Sequence, residues 1–125
     1  MISDDELRTA MAAAMSGFVE VVAAVEPQHW DRPTPCTEWS VVDVVDHVVA
    51  GDRFTAATLG GASISEAMDA HVGLDPQDPD VIRQVTDAAG EAIAAFGGSL
   101  DRMVEHRVGR VPARRVRCYG AAVST

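Results

Sequence analysis

The sequence contains no lysine. All ten basic residues are arginine, set against nineteen acids, for a formal net charge of −9. A chain this acidic repels polyanions, which argues against nucleic acid or an anionic membrane as a partner. Aromatic residues make up only 5% of the chain, so Trp30 and Trp39 carry unusual weight as anchors. Cysteine is limited to Cys36 and Cys118. Their spacing gives no CxxC pair and no zinc-type pattern. A disulfide framework is therefore not expected, and reduced thiols in the cytoplasm are the default. No apolar run reaches the roughly 18 residues of a membrane-spanning helix. Asp4, Asp5 and Glu6 oppose a signal peptide at the start of the chain. There is no G-x-S-x-G nucleophile turn and no Gly-rich phosphate loop.

What is present suits one helical domain. The chain has 125 residues, 47% of them apolar, and that share is dominated by alanine and valine. Small side chains let helices approach closely, although each contact buries little area. Charge is uneven: residues 1–100 hold 17 acids against 4 arginines, and residues 101–125 hold 6 arginines against 2 acids.

Three long helices follow from periodicity. The first is expected over residues 4–26, with Ser3 and Glu6 as a capping box and Leu7, Met11, Met15, Phe18, Val22 and Val25 along one face, ended by Pro27. The second runs over residues 41–59 and ends at Gly60-Gly61. The third has Asp78 as N-cap and Pro79 as its first residue, with Val81, Val85, Ala88, Ala92 and Ala95 on one face. Between the second and third, residues 62–77 read as loop with one short turn. Beyond Gly98 the periodicity fades: residues 109–112 read as a turn, and residues 113–125 as a loose Arg-rich tail.

The chain is organised around residues 34–51, TPCTEWSVVDVVDHVVAG. Ser40 suits an N-cap, and Asp43, three residues on, meets the positive end of the helix. At about 100° per residue, Val41, Val44, Val45 and Val48 share one face. His47 lies just beyond its edge, with Asp43 one turn before it and Gly51 one turn after. A neutral imidazole is a good ligand for zinc and similar metals, and its second nitrogen commonly bonds a carboxylate that fixes the ring. Asp43 or Asp46 can supply that carboxylate, Asp43 from the better angle. The alternative is a half-buried histidine bonded to Asp43 with no metal.

The pattern Trp39, Ser40, Asp43, His47, Gly51 resembles the metal-binding N-terminal domain of the mycothiol-dependent maleylpyruvate isomerase family, a branch of the DinB-like four-helix bundles. The resemblance is most specific over residues 30–51 and extends more weakly over residues 1–112. It implies an all-α, up-down helical bundle and a divalent metal, zinc or nickel, with His47 as first ligand and Asp43 as its orienting partner. It further implies a low-molecular-weight thiol such as mycothiol as co-substrate, activated by the metal for an isomerase or transferase reaction. The lysine-free composition fits the GC-rich genomes of actinobacteria, where mycothiol is made.

In that family the remaining ligands lie on a fourth helix, near an acidic residue and a histidine leading into Gly-Trp-Asp. No such pattern follows Pro112, no Trp follows Trp39, and no His follows His106. The expectation is therefore three main helices over residues 1–112, with the fourth missing or replaced by truncation or divergence. His29 and His71 read as surface histidines rather than substitute ligands, and the adjacent Glu105 and His106, which on a helix would point about 100° apart, could not easily serve one ion together. Cys36 reads as a small buried residue, and the arginines after residue 106 as a solvated tail. An incomplete bundle leaves one groove open, which raises a second function: a non-catalytic helical domain acting through a homodimer or a partner helix.

Overall fold

The computed structural model describes residues 3–35, 38–69, 71, 73–106 and 109–116. The fold is all-α with one small hairpin. Helices α1 (Asp4–Ala23), α2 (Val41–Leu59), α3 (Ile64–Asp69) and α4 (Val81–Ala95) are followed by strands β1 (Met103–His106) and β2 (Gly109–Pro112). A 3-10 turn, Pro27–His29, begins the connector from α1 to α2, and a second, Ala113–Arg115, follows β2.

The direction of each helix follows from which end of the core it feeds. One buried cluster joins Met15 of α1, Leu59 of α2, Ala89 and Ala92 of α4, and Phe96 just after it. The other joins Phe18 and Val22 of α1, Val45, Val48 and Val49 of α2, and Val81, Val85 and Ala88 of α4. Thus α2 and α4 run the same way and α1 runs against both. Helix α4 packs on α2 and on α1. Its alanines Ala88, Ala89 and Ala92 are buried and permit that close approach.

Parallel neighbours require the chain to travel back along the bundle between them, as crossover bundles do. Residues 60–80 make this return. Gly61 starts it in the left-handed region at φ 102°, where a side chain would be strained. Helix α3 packs on α2 and is capped by its own box: Ser63 Oγ accepts from Glu66 N–H, and Glu66 accepts from Ser63 N–H.

Midway, Asp46 fastens the crossover. Its Oδ1 lies 3.2 Å from His71 Nε2 and accepts the Leu74 N–H at 2.9 Å. Leu74 packs against the second cluster. Hydrogen bonds to a charged group are worth about 1.5–3 kcal/mol. Asp46→Ala is therefore expected to lower stability by about 1–3 kcal/mol and to speed amide exchange at Leu74 before exchange in α2. Unchanged exchange at Leu74 would count against this fastening.

The helix ends depart from expectation by a few residues. Helix α1 stops at Ala23 rather than 26, with Pro27 unable to donate a continuing bond. Helix α4 begins at Val81 because Asp78, the expected N-cap, is used in a preceding turn: its carboxylate accepts from Asp80 N–H at 2.8 Å and from Gln84 Nε2 at 3.1 Å.

The segment expected as a turn, residues 109–112, is strand β2. It pairs antiparallel with β1, Val104 opposite Val111 and Glu105 opposite Arg110. Of the expected loose tail, residues 113–116 pack on the bundle: Ala113 and Val116 are buried in the first cluster with Val104 and Leu100. Arg114 bonds both Asp101, at 2.8 Å, and Asp4, at 3.2 Å. Those two carboxylates hold its guanidinium above its usual pKa. Residues 117–125, Cys118 among them, lie outside the described residues, as does Cys36.

Two arginines meet at the C-terminal end of α4, which has no basic residue in its own last turn. Arg8 donates to the Phe96 carbonyl at 2.8 Å and to the Gly98 carbonyl, and Arg102 donates to the carbonyls of Ala95, Gly97 and Ser99. Positive charge is thereby placed where the helix dipole is negative.

Candidate functional site

The connector between α1 and α2 doubles back on itself before α2 begins. Pro33 bridges to Ser40, Thr34 N–H and Oγ1 both donate to the Trp39 carbonyl, and Arg32 and Trp30 carbonyls accept the N–H groups of Val41 and Val42. Those two amides belong to the first turn of α2 and have no partner within the helix. Glu38 takes a left-handed φ of 77° at the tip, a conformation costly for a residue with a Cβ. The two tryptophans divide the work. Trp30 is buried in the second cluster. Trp39 is 40% exposed and turns its ring onto His47, with centroids 5.0 Å apart and planes at 61°.

The capping box expected at the start of α2 is present. Ser40 Oγ accepts from Asp43 N–H at 3.4 Å, and Asp43 Oδ2 accepts from Ser40 N–H and from Ser40 Oγ, each at 2.9 Å. These bonds hold the Asp43 carboxyl below its ordinary pKa. A depressed folded pKa means the cap contributes above the unfolded carboxyl pKa and is lost as pH falls through the folded value.

His47 is exposed on the rim of α2, next to Trp39. Asp43 is also exposed and directs Oδ2 to the helix start, while Asp46 faces the crossover and bonds His71. The sequence suggests a surface position for His71. It sits instead in contact with α2, its side chain 22% exposed. Nothing local in the sequence marks that pairing. Asp52, one turn beyond Val48, is buried together with Thr55 and Thr58, which places polar side chains inside the bundle where periodicity alone suggests valine-like packing.

Beside this rim lies an apolar groove between α1 and α2, with a cavity volume of about 530 Å³. Gly17, Phe18, Val21, Val22 and Val25 form one wall, and Val41, Val44 and Val45 the other, with Thr34 at its edge. Val44 and His47 are three residues apart on α2, hence surface neighbours. His47 therefore stands at the margin of the groove.

The residues described do not by themselves fit a metal centre. Such sites take three or four ligands, and among the described residues no three His, Cys, Asp or Glu side chains converge.

The model of the mycothiol maleylpyruvate isomerase N-terminal domain matches residues 11–123. The chain belongs to this family. Its sequence is also similar to two uncharacterized proteins of Mycobacterium tuberculosis, MT0763 of strain CDC 1551 and Rv0738 of strain H37Rv. Each is 38% identical over 40 residues, covering 32% of this chain and 22% of the relative. The matched stretch thus spans about a fifth of those relatives' length. No solved structure matches the chain significantly. No helix among the described residues is long and apolar enough to cross a membrane.

Proposed function

We propose that this domain is a divalent-metal-binding member of its family in which α2 contributes one ligand, His47. The observation that carries the reading is placement: an exposed imidazole, steadied by Trp39, at the margin of an open apolar groove. Asp43, fixed by the cap one turn earlier, is the proposed orienting partner of the ring. Zinc or nickel suits an imidazole-containing site. A low-molecular-weight thiol, mycothiol above all, is the proposed co-substrate, in keeping with the family and with relatives in Mycobacterium. The proposed location is the cytoplasm.

Metal analysis of the purified protein tests this. Near-stoichiometric zinc or nickel is expected in the native chain and not in His47→Ala, whose circular dichroism should be unchanged because the residue is exposed. Titrated nickel should also quench Trp39 emission, since that ring is 5.0 Å from the imidazole. A native chain that neither carries nor takes up either metal would sink the reading.

The groove itself favours a second reading, a non-catalytic domain that binds a partner helix or a second copy. Val21 on its wall is 69% exposed, an apolar side chain with unburied area to contribute to an interface.

A further inference from the structure

The inference drawn here rests on that second reading, that the groove accepts a helix, and names the helix's chemistry. We propose that the groove between α1 and α2 receives one amphipathic helix of another protein, with two or three large apolar side chains on one stripe and Lys or Arg on its flanks.

The dimensions set the stripe. The α1 wall runs from Gly17 to the end of the helix at Ala23, about 9 Å at 1.5 Å per residue, and Val25 just beyond extends it to roughly two helical turns. That length admits anchors at i, i+3 or i+4, and i+7, the spacing by which helices enter apolar grooves. The lining is valine, phenylalanine and glycine, with the Thr34 hydroxyl already donating to the Trp39 carbonyl. It therefore offers area and shape rather than polar recognition.

Charge sets the flanks. Over residues 17–45, which build both walls and the connector, the ionised side chains are Glu20, Glu26, Asp31, Glu38 and Asp43 against Arg32, and all six are exposed. A basic-flanked helix gains long-range attraction there. An anionic membrane surface is repelled.

A second copy fits poorly. Two molecules joined through the same groove would set these acids against each other across a two-fold axis. The described residues also offer no protruding stripe to insert. The exposed large apolar side chains Val21, Trp39, Met68 and Met103 lie apart, on α1, the connector before α2, α3 and β1.

The test uses labelled synthetic helices of about 18 residues, long enough to be helical. Two peptides share one leucine stripe, and one carries lysine flanks and the other glutamate flanks. Fluorescence anisotropy with the full chain is expected to show the lysine peptide binding about 10-fold or more tighter at ~0.05 M salt, with the gap closing towards ~0.5 M as screening sets in. Val21→Gln, at an exposed position, should weaken the lysine peptide about 5-fold or more with circular dichroism unchanged. Equal binding of both peptides overturns the basic partner and leaves the groove reading standing. Binding of neither overturns both. A dimer in sedimentation that Val21→Gln abolishes makes the occupant a second copy and likewise overturns the proposal. None of these outcomes alters the metal result at His47.

Discussion

Replacing Phe96 by alanine is expected to lower folding stability by about 3–5 kcal/mol. Phe96 is 2% exposed and follows the last turn of α4. It shares the first cluster with Met15 from α1, Leu59 from α2, and Val104, Ala113 and Val116 from the hairpin segment. Few side chains of comparable size share that cluster, because the alanines that let α4 approach its neighbours leave little volume to move into a cavity. Arg8 still donates to the residue-96 carbonyl after the change, so the loss reports packing and not the cap. Urea unfolding measures it. Phe96→Leu, which keeps most of the volume, should cost under about 1.5 kcal/mol. A loss below about 1 kcal/mol for the alanine variant would mean the hairpin end is not the packed core described here.

The second large effect lies at the other end. Trp30→Ala is expected to cost about 3–5 kcal/mol as well, and to disturb the site in addition. Trp30 is 4% exposed among Phe18, Val22, Val45 and Val49, and its carbonyl accepts the Val42 N–H at 2.9 Å. The residue thus holds the connector down at the point where it hands over to α2. The chain has two tryptophans, so the emission of this variant reports Trp39 alone. That emission should shift to the red as the connector lifts and the ring leaves His47. Trp39→Ala, by contrast, removes a ring already 40% exposed and should cost about 1 kcal/mol. Equal stability losses at Trp30 and Trp39 would show that the two rings do not divide their roles as their burial indicates.

Local periodicity made much of the bundle legible. The valine face of α2, its Ser40–Asp43 cap and the apolar face of α1 are all set by residues within one or two turns of each other, so their spacing could be read directly. The hairpin could not. Strands of four residues carry too few alternations to separate from a turn, and Arg110 and Arg114 obscured the apolar Val111 and Ala113 between them. The structure explains those arginines one at a time: Arg114 spans Asp101 and Asp4, and Arg110 sits opposite Glu105.

At the candidate site the same division holds. That His47 stands at the edge of the α2 face follows from angle alone. That Trp39 supplies its aromatic neighbour depends on how the connector turns at Glu38, and that Asp46 turns away to His71 depends on a crossover 25 residues further on. The groove, too, is a property of three helices together. Each wall reads as ordinary core in sequence, and only the position of α4 on the far side leaves this face uncovered.

Arg8 bonds carbonyls 88 and 90 residues further along the chain, and Arg114 reaches back 110 residues to Asp4. During vectorial synthesis α1 emerges first, yet the seat of its opening turns is built from the end of α4 and the segment that follows. Those opening turns can be fastened only when the last quarter of the polypeptide has left the ribosome, whereas Phe18 and Val22 find their partners in α2 and the start of α4 earlier. A chain released short of Arg114 would keep its opening turns unfastened, a ready substrate for chaperones and proteases.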